Sequence, residues 1–389
     1  MTAYNTSDLY NKYVQEQCSE AFHTECINGE TYEHILQQHV SNLYIPNYFI
    51  RIGSALLTIV CILFSGLLLG LLFVSSNELG FFILCIFLAG LSYGALELLV
   101  KQKKYYNAGV DNILMLSTLS FIISAFFIED LENFSDQYLV AAFISMLICF
   151  WFCKRFTDSF MAILCYLSGF LFLFLLYTRF GTFAKATAPF MLMAISATVF
   201  FVMKSMYRKT DNVFYKPSLR AVMLLALITF YVCGNYFVVK ELSNQMFDLQ
   251  LGLHDTIPMG WLFWIFTAII PPAYIFYGIK KKDLLFIRTG LLLIAVTIFT
   301  VRYYYSVLDV EVAMVIAGVI LIAISYALIR YLKTPRQGFT FANTGYAAKD
   351  ILNAEALIIA QTFGEKATVD SGVQFGGGSS GGGGATGSF

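Results

Sequence analysis

Inside the long apolar stretch from Arg51 to Arg330, few side chains are able to do chemistry. A charge surrounded by hydrocarbon is costly, so an ionisable residue there is first suspected of a function. Glu97 lies one turn before Lys101 near the end of one apolar run, and Arg288 lies about two turns after Lys280, Lys281 and Lys282 near the start of another. Similar depth allows an interhelical Glu97–Arg288 pair, or a site for a polar ligand between them. The plainer reading pairs Glu97 with Lys101 at i,i+4 and lets Arg288 reach the headgroups. Pro271-Pro272 stands in the middle of another run. Two prolines remove two backbone donors and free carbonyls, which is how a broken helix comes to line a substrate site; a proline kink more often only shapes packing.

Other chemistry is thinly represented. Cys18, His23, Cys26, His34 and His39 bring zinc-ligand residue types close in sequence, but the paired C-x2–4-C spacing is missing, so no metal and no cofactor are expected. There is no HExxH, phosphate-binding glycine loop, GxSxG or dinucleotide fingerprint, which leans away from an enzyme without excluding one. No run carries a charge near its centre, where ion-coupled transporters usually need one.

Composition names the solvent. The chain of 389 residues is 58% hydrophobic and 13% charged, against roughly 25% charged for a soluble domain. Its formal net charge is zero, which argues against a nucleic-acid partner. Six of the eight cysteines fall in apolar runs, where thiols act as small hydrophobes rather than a disulfide framework. The first residues lack the basic and apolar regions of a cleavable signal peptide, so targeting is assigned to the first spanning segment.

Residues 1–50 predict a helical hairpin: Ser7 caps a helix to about Ile27, Asn28-Gly29 stops it, and a second helix runs from Thr31 until Pro46. About ten apolar runs follow, each long enough to cross a hydrocarbon core of roughly 30 Å. They are Ile52–Val74, Gly80–Val100, Gly109–Ile128, Gln137–Cys153, Asp158–Thr178, Thr187–Met206, Ser218–Val239, Pro258–Ile279, Leu284–Tyr304 and Val310–Tyr331. Alternate connections carry the lysines and arginines: Lys101, Lys103 and Lys104; Lys154 and Arg155; Lys204, Arg208, Lys209 and Lys216; Lys280, Lys281 and Lys282. The connections between them are acidic. Basic loops stay on the cytoplasmic side, so the reading is an all-α integral membrane bundle with both termini inside. Residues 333–374 predict a cytosolic tail with one short amphipathic helix at 347–362, and 375–389 a disordered Gly/Ser-rich ending.

The layout resembles that of uncharacterised bacterial predicted membrane proteins, in which a helical N-terminal region precedes a run of spans. The carrying residues are few: a Gly-led span closing on Arg302-Tyr303-Tyr304, then a Gly318-containing span ending at Arg330 and Lys333. The glycine-rich ending with a final aromatic is similar to tails on some bacterial membrane proteins bearing a TPM domain, which is itself missing here. The resemblance implies a bacterial inner (plasma) membrane and supplies no activity. Partners expected are the lipid bilayer and a protein docking on the hairpin or the tail. Two functions stay open: a scaffold or regulatory membrane component, favoured because polarity sits at the ends, and a transporter or channel for a small solute using the Pro-broken eighth span. A membrane enzyme is third.

Overall fold

Backbone groups in lipid have no water to bond, so an apolar segment satisfies them internally as helix. The computed structural model describes residues 2–23, 26–73, 78–126, 134–247, 251–252 and 255–305, with isolated positions between 315 and 330. The tenth expected span, the tail helix at 347–362 and the Gly/Ser-rich ending lie outside the described residues, apart from those isolated positions.

Two helices precede the apolar block: α1 (Thr6–His23) and α2 (Gly29–Gln38). Their caps differ from expectation. Asn5 Oδ1 accepts from the Ser7 amide at 3.1 Å, so Ser7 sits inside the first turn. Asn28 opens α2, accepting from the Thr31 amide at 2.9 Å; asparagine is among the strongest N-caps, and that role fits Asn28-Gly29 as well as a stop does. α2 ends at Gln38, well before Pro46.

Among the described residues ten further helices follow: α3 (Tyr48–Phe73), α4 (Glu78–Lys103), α5 (Val110–Phe126), α6 (Phe134–Phe156), α7 (Ser159–Thr178), α8 (Thr182–Tyr207), α9 (Lys216–Gly234), α10 (Tyr236–Phe247), α11 (Gly260–Lys281) and α12 (Leu284–Tyr304). A 3₁₀ turn, Thr210–Tyr215, leads into α9. Among the described residues all regular structure is helical, and eight helices are long and apolar enough to cross a membrane. α5 is shorter, at 17 residues, or roughly 26 Å at 1.5 Å per residue. The expected seventh span is not one helix: it divides at Asn235 into α9 and α10.

The helices pack largely as consecutive antiparallel pairs, α4 with α5, α6 with α7, α8 with α9 and α11 with α12. In the last pair two glycines permit close approach. A Cβ on Gly278 would meet Ile287 Cγ1 at 2.6 Å, and one on Gly290 would meet Ile275 Cγ1 at 2.6 Å and the Pro271 carbonyl at 3.1 Å. Turns of three pairs contain a left-handed residue, at Lys104, Thr157 and Lys282. These turns gather on one face with the basic residues that flank them, and the N-terminal hairpin docks there.

Candidate functional site

Tyr4 is the pin of that docking. It is buried, its ring packs edge-on against Tyr106 and Phe156 with centroids at 5.2 and 6.4 Å, and its hydroxyl donates to the Tyr105 carbonyl at 3.1 Å. Burial, with the negative charges of Asp111 and Asp158 nearby, pushes its phenol well above the ordinary tyrosine range. Beside it the Ala3 amide donates to the Arg155 carbonyl at 2.8 Å. Chain 39–47 is stitched to the α4–α5 turn: the Tyr44 amide donates to the Lys104 carbonyl at 2.9 Å and the Tyr106 amide to the Tyr44 carbonyl at 3.1 Å.

Asp8 organises the second contact. Its buried carboxylate accepts from the Asn42 amide and side chain at 3.3 and 3.2 Å and faces Lys104 Nζ at 3.7 Å. Lys12 stands 4.8 Å from the centre of the Tyr106 ring. A buried carboxylate met by donors and a cation is worth keeping in place, because separating them strands a charge.

Below Tyr4, two aspartates serve helix starts. Asp111 accepts from the Ala108 amide at 2.8 Å, and Asp158 caps α7 through the Met161 amide at 2.8 Å. Burial raises the Asp158 pKa against the opposing Met161 amide bond, and the neighbouring Asp111 charge raises it further. A carboxyl that holds its proton more tightly folded than unfolded favours folding at low pH and opposes it as pH rises through the folded value. Asp158→Asn keeps the capping oxygen without the charge. It is therefore expected to be as stable as wild type or more so at neutral pH, and to flatten the rise of melting temperature expected of wild type as pH falls through the folded value toward the ordinary carboxylate range.

Glu97 enters an ion cluster on this face. Its Oε1 accepts from Arg155 Nε and, at 3.0 Å, from the Tyr93 hydroxyl, while Lys101 Nζ lies 3.3 Å from Oε2. Arg288 is elsewhere, so the structure does not bring Glu97 and Arg288 together. It lines a cleft of about 680 Å³ between α1, α9 and α12, in company with Tyr13, Glu16, Glu20, Lys216 and Arg220. Arg155 and this cleft escaped the sequence reading. The signals were there: Arg155 is a basic residue two positions past an expected span end, and Lys216 and Arg220 share one side of a helix at i,i+4.

Pro271 and Pro272 lie within a continuous α11, and the carbonyl that Pro271 frees, that of Thr267, accepts from Thr297 Oγ1 on α12 at 3.2 Å. The break occurs at Asn235, which is 1% exposed. Its Nδ2 donates to the Tyr231 hydroxyl at 2.9 Å and Thr300 Oγ1 at 3.1 Å; its Oδ1 accepts from the Phe237 and Val238 amides at 3.0 and 3.4 Å, starting α10. Thr267 Oγ1 accepts from the Tyr236 amide at 2.9 Å. Donors and acceptors of the Asn235 side chain are all engaged by protein, so this network fixes a bend. A similar closed triangle joins Tyr166, Ser196 and Thr229 across α7, α8 and α9.

Two other cavities, of about 360 and 380 Å³, are lined chiefly by apolar side chains, the first including Cys153 and Cys165 and the second Tyr274 and Phe286. Among the described residues no three His, Cys, Asp or Glu side chains converge as metal ligands would; Cys18 is buried in α1 and His39 Nδ1 lies 3.3 Å from Asn11 Oδ1. Comparison with family models, curated proteins and solved structures gives no match.

Proposed function

We propose that this chain is a scaffold or regulatory component of a membrane, with the hairpin as the element that meets a protein partner. The supporting observation is that the hairpin is fastened to the bundle yet keeps large apolar side chains exposed. One side is fastened to the bundle through Tyr4, Asp8 and the Tyr44–Tyr105 bridge. Elsewhere on the hairpin Tyr10, Phe22, Val40 and Ile45 are exposed outside the spans, between 38% and 57%. Exposed apolar groups on a support held to the bundle favour association. The fastening also touches the α4–α5 turn, the end of α6 and the start of α9, so a pull on the hairpin reaches three helix pairs.

In this reading the basic face is cytoplasmic, as the retention of lysine and arginine favours, and about ten spans put both termini inside. The layout resemblance supports a bacterial inner membrane. A second reading, a conduit for a small solute, is favoured by the break at Asn235, since discontinuous helices border transport sites.

A photoreactive residue at Val40 in intact membranes is expected to give discrete protein adducts, which Asp8→Ala weakens several-fold by loosening the hairpin. Purified chain in vesicles is expected to show no solute flux that Pro271→Ala/Pro272→Ala or Asn235→Ala abolishes. Lipid adducts alone at Val40, together with such a flux, would replace the scaffold by the conduit.

A further inference from the structure

The cleft holding Arg288 has the make-up of an anion site at headgroup depth. Lys216 and Arg220 project from the first turns of α9, one helical turn or roughly 6 Å apart, and Arg288 from the second turn of α12. Three cations beside two carboxylates, Glu16 and Glu20, leave one positive charge in formal excess, and Lys12 already pairs with Glu16 along α1. Lys216 is steadied by Tyr13, its Nζ 3.4 Å from the hydroxyl and 5.3 Å from the ring centre. The cations outnumber the carboxylates beside them, so one further anion relieves the repulsion that remains.

Deeper along the same two helices the surface is apolar. Leu224 lies one turn beyond Arg220 and Leu292 one turn beyond Arg288, and they are 39% and 54% exposed. A polar mouth of arginines and lysine above an aliphatic wall open to the bilayer matches a phosphate joined to acyl chains. Its volume, about 680 Å³, falls in the usual range for ligand sites, roughly 300–1,000 Å³. Basic pockets between spans on the cytoplasmic side are where anionic headgroups bind.

We infer that this cleft binds one anionic phospholipid, its phosphate held by Lys216, Arg220 and Arg288 and its chains lying on Leu224 and Leu292. α1 forms the third wall, so its carboxylates oppose the same phosphate. The inference stands whether the bundle serves as scaffold or conduit.

The test uses full-length chain in neutral detergent with phosphatidylglycerol or phosphatidylcholine, retained lipid being counted by native mass spectrometry. One phosphatidylglycerol is expected to bind at least about ten-fold more tightly than phosphatidylcholine. Arg220→Gln/Arg288→Gln should lose that preference about ten-fold, whereas Lys280→Gln/Lys281→Gln, on the same face outside the cleft, should keep it. Glu16→Gln/Glu20→Gln should tighten binding several-fold, a gain that misfolding does not produce. Equal retention of both lipids, equal losses in the two cation variants, or no gain in the glutamate variant would overturn the site. Glycerophosphoglycerol binding as tightly as the lipid would overturn the lipid assignment in favour of a free phosphate ester.

Discussion

Gly109→Ala is expected to lower the stability of the bundle by at least about 3 kcal/mol, among the largest losses from adding one methyl group. Two effects coincide at this position. Its φ is +89°, where a side chain is strained, and a Cβ there would stand 2.2 Å from the Arg51 carbonyl oxygen and 3.0 Å from Ser54 Oγ. The first obstacle is backbone, so relief requires the start of α3 to move away from α5. That movement would disturb the Ser54 hydroxyl's 2.6 Å bond to the Ala108 carbonyl and the neighbouring 2.8 Å Ala108 amide bond to Asp111. Gly181 is the matched control: its φ is +95°, yet nothing lies within 4 Å of its would-be Cβ. Gly181→Ala should therefore cost only the conformational strain, about 1–2 kcal/mol. Chemical denaturation of both variants in the same detergent measures the difference; equal losses would mean that the α3–α5 contact at Gly109 is looser than described.

Much of the bundle was legible because lipid imposes one rule on every residue of a span. Long apolar runs had to be helices, and the nine that fall on described residues are helical within a few residues of where hydropathy put them, apart from the seventh. That segment was read through to Val239 because its residues are apolar, yet Gly234-Asn235 is a helix-ending and helix-starting pair. A local capping preference competes poorly with a hydropathy window, and only the partners Tyr231 and Thr300 make the break affordable in a buried place. The prolines stand in an unbroken helix. Pro271-Pro272 looks like an interruption, but proline is tolerated in a membrane helix when neighbours re-satisfy the freed backbone, as the Thr297 hydroxyl of α12 does for the Thr267 carbonyl. The hairpin was visible in its helical spacing, but its docking was not: the contacts of Tyr4 and Asp8 join positions about a hundred residues apart, and no periodicity encodes them.

The same limitation decided the partner of Glu97, and a double-mutant cycle separates the alternatives. Glu97→Gln is expected to cost about 3 kcal/mol, since it leaves the Arg155 guanidinium without its carboxylate in a mostly buried place. The two side chains are 14% and 22% exposed. Arg155→Gln should cost a similar amount, and the double variant much less than the sum, giving a coupling of about 2 kcal/mol. Lys101, whose side chain is 63% exposed, should contribute no more than about 0.5 kcal/mol, as solvated i,i+4 pairs do. Glu97→Gln combined with Arg288→Gln should be additive, because Arg288 belongs to the α1–α9–α12 cleft. A strong Glu97–Arg288 coupling with a weak Glu97–Arg155 one would restore the pairing read from depth alone. It would also remove Arg288 from the proposed lipid site, so this cycle tests the ion cluster and the cleft together.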